Sequence, residues 1–531
     1  MPVTTIPLVG GMTARGFAKT IGTSAKDQQY INCLFETAIN PALGKKAIYV
    51  VKRPGSTTGS SIGATCYALA SYSTYFTGMS CTATAIFRGT TSLGAIGNTV
   101  KDLFLSDTVM DEQEVICFAV DTTAAYFCFK DAVTTNFPTF TGDTHTNTVI
   151  DNIASTTGLY PGQAISGTGI QAATRIATIT SATAITTTLA TTATNAGVTI
   201  TKEAIAKITD ADFPASDIQS VTAMNGYMFT ATSDKIYNCP INTPWLQTAS
   251  DYISADYSGD TLVRIWKYGD YIVAVGANSI QYFQITGNSS GSVLSAVRAL
   301  NKTTDRQINF QPIFVGGFGY VTSSSDAAGY AIMKMGSATE MVPVTDPVTG
   351  GVLGGNGPTA LGMATITGDR KLVMPCDGNN TQSLVYDDSS KMCSLYKLAS
   401  ANILTSFGTT FTKSGATTLF TWAAGNTWTD SSSAYTMTIQ TEPFVLNDGR
   451  PFTISMVELI GDTQASGTTS FTTYNDDYTT PLSLPAFDMT AQNKVSRPCG
   501  YYPNHVIFKL EHSANTAFRA QALKVHWEPA G

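Results

Sequence analysis

Gly287-Asn-Ser289-Ser-Gly291 has the spacing of a nucleophile elbow and lies between a predicted strand and the only plausible helix, "SVLSAVRAL" at 292–300. An elbow of this kind needs a downstream acid and then a histidine on a parallel α/β sheet. His505, His512 and His526 are the only downstream histidines. All three fall in C-terminal strand patterns, and parallel βα units are missing, so a Gly/Ser loop is the preferred reading. Gly167-Thr-Gly169-Ile-Gln-Ala172 matches a dinucleotide fingerprint. That motif needs a helix N-terminus to hold the pyrophosphate, and here the strand-like "TRIATIT" follows. His505 and His512, seven apart, would point to opposite faces of one strand. Asp387-Asp388 and Asp476-Asp477 sit in turn sequences, where adjacent acids usually cap the turn rather than share a proton. Neither HExxH nor an EF-hand loop occurs. The expectation is therefore a chain with no catalytic, cofactor-binding or metal-binding residues, and not an enzyme.

The elements that would position such residues are almost all strands. Of 531 residues, 43% are apolar and only 13% charged, against about 25% charged in ordinary soluble domains. Gly, Ser and Thr fill the gap. A large surface this short of charge suits extensive contact with other protein, because interface cores are depleted of charge. Thr and Ser standing in for Lys and Glu on strand faces would give the same composition. The net charge is −7 and the pI about 5.2. Basic residues are scattered, which argues against gripping nucleic acid by its phosphates. It does not argue against nucleic acid sliding past.

The nine cysteines (33, 66, 81, 117, 128, 239, 376, 393 and 499) form no CxxC pair. Their odd number and irregular spacing make a poor disulfide framework, and they read as reduced, buried hydrophobes made in a reducing compartment. "MPVTTIPLVGGM" lacks a basic leader region, and no stretch approaches the ~18 apolar residues of a membrane helix. A soluble chain without an export signal is expected.

Short β-branched and aromatic runs recur between Gly, Asn, Asp and Ser. In "GDYIVAVGANSIQYF", Tyr271 to Val275 are apolar at every position rather than every other one. Such a strand must be covered on both faces. Similar units start at Gly226, Gly269, Gly317, Gly368 and Gly408, 40–51 residues apart. That loose period in a β chain marks a propeller of about four strands per blade. A row of β-sandwiches is the alternative, but its strands should alternate more cleanly.

The predicted organisation is an all-β protein: an extended N-terminal arm (1–60), the first part of a propeller of six to eight blades (61–144), an inserted small β module (145–202), the rest of the propeller (203–433), and a C-terminal β-sandwich or platform (434–531). The module is nearly all Thr, Ala, Ile, Gly and Ser. A disordered linker would have a similar composition, but the recurring Ile in "TRIATITSATAIT" argues for strands.

Three stretches together resemble the tail hub, nozzle or packaged-DNA stabilisation proteins of short-tailed bacteriophages. The first is the start, with "QQYINCLFE" and "VVKRPGST", where Tyr30, Asn32, Glu36, Pro54 and Gly55 hold the family's places. The second is the hairpin at 269–285. The third is the C-terminus, "SFTTYNDDYTTPLSL" followed by "NHVIFKLEHS" and "AFRAQALKVHW". This chain departs from the family in lacking the Gly after Asp477 and the usual Trp in that turn. The resemblance implies a virion protein assembled in the host cytoplasm. It implies a ring, six being the implied number, below the portal and its adaptor, docking fibres or spikes and conducting genome DNA. The alternative function is a carbohydrate-binding or carbohydrate-active propeller of a phage fibre. It would need clustered carboxylates and exposed aromatics, with Trp266, Trp422 and Trp428 as candidates.

Overall fold

The computed structural model describes residues 1–9, 29–39, 46–72, 76–96, 106–120, 123–134, 139–214, 216–255, 257, 259–288, 291–304, 307–308, 312–315, 318–325, 329–337, 340–344, 360–366, 370–376, 383–398, 403–413, 415–423, 427–475, 480–497 and 500–530. Two compact units emerge. One comprises 1–59, 313–336 and 341–531, the other 60–312 and 337–340. The fold is all-β and has a propeller arrangement of five blades, not the six to eight expected. Sheets built on Cys66–Ala95, Ser220–Ser254, Leu262–Ala296 and Ile313–Ser337 stand by themselves, and the meander Ile403–Trp422 is extended by Ser56–Ser61 and two short strands into a six-stranded sheet. Two further four-stranded meanders do not stand by themselves, because each runs on, strand by strand, into a nine-stranded sheet.

In the 60–312 unit the meanders stack face to face. The strand Tyr271–Gly276 carries Ile272, Val273, Ala274 and Val275, all at 0% exposure. Ile272, Ala274 and Phe283 pack on Phe229 and Ala231 of the preceding blade. Val273 lies on the opposite face, paired in register with Trp266 and Tyr282. The unbroken apolar run is thus buried on both faces. The segment 292–300 is not a helix: it forms the strand Leu294–Ala296 and one 3-10 turn, Arg298–Leu300.

The small module interrupts a blade between its third and fourth strands. Ser106–Met110, Gln113–Val120 and Ala124–Phe129 form a meander, and the end of Asn195–Lys207 completes it through Tyr126↔Lys207 and Phe127↔Ala206. The start of that same strand pairs with Thr139–Thr144, ahead of the expected boundary at 145. Pairings then run through Val149–Asp151, Ala184–Thr187, Ile176–Ser181 and Gln163–Gly167 back to Asn195–Lys207, with Ala164↔Arg175 as the closing bridge. Inside lie Ile150, Ile153, Leu159, Ile165, Ile176, Ile185, Val198 and Ile200. Tyr160 seats the module on its blade. Its hydroxyl donates to Asp131 at 2.8 Å, and its ring stacks on Phe129 at 4.2 Å.

The described strands of the first sixty residues, expected as an extended arm, are built into sheets. Val3–Pro7, Cys33–Ile39 and Lys46–Lys52 join a seven-stranded sheet with Phe452–Gly461, Arg519–Pro529 and two short strands. Gln29–Ile31 enters a nine-stranded sheet, between Met392–Tyr396 and Met437–Gln440. Ser56–Ser61 enters the six-stranded sheet of Ile403–Trp422. The seven-stranded sheet and the C-terminal half of the nine-stranded one share a core that includes Phe35, Val50, Ile439, Phe452, Phe508 and Leu523.

Candidate functional site, a buried node where three sheets meet

The described stretches 29–39 and 46–59 serve three sheets of the 1–59/313–336/341–531 unit and turn two sharp corners. The first is Asn32. It adopts φ +58° between the strands Gln29–Ile31 and Cys33–Ile39. Asn tolerates this left-handed conformation far better than a β-branched residue. The second corner is Arg53-Pro54-Gly55, between Lys46–Lys52 and Ser56–Ser61. A Cβ on Gly55 would lie 2.0 Å from the Thr429 carbonyl oxygen, so only glycine fits there.

The corners touch. The Arg53 amide donates to the Asn32 carbonyl at 3.0 Å, and Arg53 Nε donates to Asn32 Oδ1 at 2.9 Å. Arg53 then forks onto Asp430: Nη2 reaches Oδ2 at 2.6 Å and Nη1 reaches Oδ1 at 3.0 Å. Both side chains are 0% exposed. Ser56 Oγ donates to the same carboxylate at 3.2 Å, and Arg53 Nη1 also donates to the Pro54 carbonyl at 3.0 Å. The Tyr435 ring lies 4.0 Å from the guanidinium carbon, with Tyr396 and Trp422 at 5.5 and 5.7 Å. The Tyr435 hydroxyl donates to the Arg53 carbonyl.

Burial works against the charge on Arg53, but Asp430 outweighs it and holds the guanidinium above its ordinary pKa. Burial likewise pushes the Tyr396 and Tyr435 phenols upward, with Arg53 opposing, so both rings stay neutral beside the cation. Lys52, also fully buried, is lowered to about 8 by burial and by its neighbour Arg53. Its ammonium donates to the Ala514 carbonyl at 2.7 Å. Arg53 and Asp430 are satisfied, whereas the Tyr396 hydroxyl and the Trp422 indole N–H are buried without a hydrogen-bond partner among the described residues; the node is a desolvated polar clasp. It offers fixed geometry rather than an open position for a substrate.

Four of the residues that carried the sequence resemblance meet in or beside this node: Asn32, Pro54 and Gly55 form the corners, and the Tyr30 hydroxyl donates to the Leu8 carbonyl at 2.8 Å. Glu36 works elsewhere in the seven-stranded sheet. It accepts from Arg519 Nε at 2.7 Å, and that guanidinium also reaches Asp462 and covers Tyr49. Asp430 and Tyr435 were not singled out in the sequence. A buried Arg before Pro-Gly demands an acid, but 38 acids are available and nothing local selects one.

The other candidates scatter. Ser289 lies outside the described residues, and no helix follows Gly291. Gly167 and Gly169 precede the strand Ile176–Ser181, as expected. Asp387 caps its turn, accepting from Ser389 N at 3.0 Å and Ser390 Oγ at 2.8 Å. Burial would raise Asp388, but hydrogen bonds from Lys391 and Lys334 pull it down to about 2. Asp476 and Asp477 lie outside the described residues. His512 is buried between Thr469 (3.0 Å) and Thr516 (3.1 Å), and burial with the nearby Lys52 charge lowers it to about 4. Trp266 and Trp422 are 1% and 3% exposed, unavailable for stacking a sugar, while Trp428 is half-buried. Seven cysteines are buried and none of them is in a disulfide; Cys499 and the Cys376 side chain fall outside the described set. Among the described residues no three His, Cys, Asp or Glu side chains group as metal ligands, and no helix is long and apolar enough to cross a membrane.

Residues 156–301 match the family model described as Bacteriophage P22 Gp10, beta-propeller. This bears out the phage stabilisation resemblance over most of the module, two blades and the hairpin at 269–285. No curated protein matches the chain. Solved structures that the chain matches include an exo-β-1,3-galactanase from Phanerochaete chrysosporium, at 10% identity over 81% of this chain and 97% of that one, TM-score 0.27. The AfRom2 CNH domain gives 11% identity over 63% and 99%, TM-score 0.23. Trypanosoma rangeli sialidase gives 9% over 90% and 97%, TM-score 0.19.

Proposed function

We propose that this protein is a structural component of a short-tailed phage virion, the hub or nozzle of its tail. Copies form a ring, six in number, below the portal and adaptor. The ring seals the genome, passes it through its lumen at ejection, and docks fibres or spikes. Subunits are made in the host cytoplasm and join the virion there. The observation that carries this reading is the match of residues 156–301 to the phage stabilisation propeller. The net charge of −7 and the low charge density support it. An acidic lumen repels phosphate, so DNA passes without sticking. A surface short of charge suits large permanent contacts between subunits. The buried clasp at Arg53 adds no chemistry to this role; it holds three sheets in fixed relation, as a load-bearing wall requires.

The test belongs on assembled particles, where the adaptor supplies a template. Tail images classified without imposed symmetry should show this density as a collar around a continuous axial channel. Density confined to fibre tips, or a single copy off the axis, would overturn the hub assignment. That outcome would favour the carbohydrate-binding alternative.

A further inference from the structure

We infer that the sheet edge at Thr57–Ser60 is a self-pairing surface: two copies of this chain join there about a two-fold axis, edge to edge, as antiparallel strands. The pairing concerns the free chain. It is independent of the proposed role in the tail, because a two-fold contact is isologous whereas a ring is closed by head-to-tail contacts.

Ser56–Ser61 lies in the six-stranded sheet between Thr418–Trp422 and the two-residue strand Thr429–Asp430. On the second side its register pair is Ser56↔Asp430, in parallel. The Ser431 amide donates to the Ser56 carbonyl at 2.7 Å. There the neighbouring chain leaves, through a tight turn in which Ser431 and Ser432 both have positive φ. Backbone groups of alternate residues face the same edge of a strand. Ser56 faces this side, so Thr58 and Ser60 do too, and no strand pairs with them there among the described residues. Thr57, Thr58, Gly59 and Ser60 are all exposed.

An open edge is a liability that folded chains usually guard. The guards are visible on other outer strands of this protein. Tyr252–Ser254 and Leu294–Ala296 are only three residues long. Glu340–Pro343 carries an acid and a proline, and Pro481–Asp488 carries Pro481 and Pro485. Met392–Tyr396 is covered by Gln29–Ile31. Thr57–Ser60 has no charge and no proline.

Composition says what fits this edge. A charge on a two-fold interface meets its own copy, and like charges directly opposite are destabilising, so a self-pairing strand must be neutral. No Asp, Glu, Lys, Arg or His occurs from Pro54 to Phe87. With the axis at Gly59, Thr58 faces Ser60 of the second copy, and Ser60 faces its Thr58. Each pair exchanges both backbone hydrogen bonds. The two glycines meet between them with no side chain in the way. Ile62 would fall opposite Ser56, where Asp430 stands, but the strand ends at Ser61 and the chain turns at Gly63, φ +76°.

Sedimentation of the purified full chain tests this, and a monomer–dimer equilibrium is expected. Thr58→Pro removes one outward amide from each copy, hence two hydrogen bonds per dimer, and should weaken the dimer about thirtyfold. Thr58→Lys keeps every amide but guards the edge as natural strands do. It should weaken the dimer too, and it serves if Thr58→Pro does not fold. Register is read by cross-linking in oxidised glutathione. Thr58→Cys mixed with Ser60→Cys should give disulfide-linked dimers, since a hydrogen-bonded pair sets its Cα atoms about 5.5 Å apart. Either variant alone should not. A chain that stays monomeric at every concentration would overturn the inference. So would a dimer or a ring that both Thr58 variants leave intact, and so would cross-links that form as readily in one variant alone as in the mixture. A ring of that kind would still favour the tail role, so the two readings fail separately.

Discussion

Arg53 and Asp430 are buried together, and each is intelligible only through the other. Removing one member of a buried pair leaves an uncompensated charge or its unmade hydrogen bonds, at a cost of about 3–5 kcal/mol. Asp430→Ala should lower stability by that amount in chemical denaturation. Arg53→Met combined with Asp430→Leu should recover much of the loss, since apolar replacements of similar volume often match a buried pair. A double mutant no better than Asp430→Ala would assign the node's stability to the other partners of Arg53.

Lys52 and His512, close by, should set the pH dependence of this unit. His512 titrates near 4 when folded and near 6.5 when unfolded. Below pH 6.5 the unfolded chain takes up a proton that the folded chain refuses, so stability falls from pH 6.5 down to about 4. The loss from this group reaches about 3 kcal/mol. Lys52 is near 8 when folded and near 10.5 when unfolded, so the unfolded chain binds more protons in that window and stability rises with pH across it. Melting curves of His512→Gln should be flatter between pH 4 and 6.5, and those of Lys52→Met flatter between 8 and 10.5. Unchanged slopes would show that other groups govern these windows.

At the scale of elements, the apolar strand Tyr271–Gly276 and the inserted module make opposite demands. Val273 has 0% exposure. Val273→Asp places an unpartnered charge there, at a cost of several kcal/mol, and should abolish cooperative melting or lower its midpoint sharply. A variant that melts like the parent would remove the case for two-sided burial. The module has its own core and a closed circuit of strands. We propose that it folds as a separate body, and excision should be tolerated if the cut respects the ladder. Joining 138 to 203 with a short Gly/Ser link removes Thr139–Thr144 along with its partners and spares the blade's fourth strand. The product should keep its β circular dichroism and a cooperative melt. Cutting at 145 instead leaves Thr139–Thr144 as an unpaired strand, a predicted source of aggregation. Insoluble product from both cuts would make the module part of the blade's structural core.

At the scale of the whole molecule, the charge-poor acidic surface leads to the expectation that rings form without DNA. Particles or adaptor-templated assemblies prepared with nuclease should keep the collar, and its loss on nuclease treatment would show that nucleic acid holds the ring together. Much of the fold was legible before any coordinates. Strand content, the recurring hairpins, the two-sided burial of 271–275 and the foreign composition of the module follow from residue order, because pleat alternation, turn chemistry and β-branching are local physics. The corner residues were legible too: "KRPGST" reads as a turn, whereas "QYIN" does not read as a corner. What residue order could not decide is which distant strand each edge would find. Two meanders merge into larger sheets, the first sixty residues weave through three sheets, and Arg53 selects Asp430 at a separation of 377 residues. Hydrogen-bond edges are chemically alike along every strand, and any of the acids could neutralise an arginine. Only the packing of the finished chain, which brings the Asp430 carboxylate into the buried pocket of aromatic rings around Arg53, distinguishes one partner from the rest.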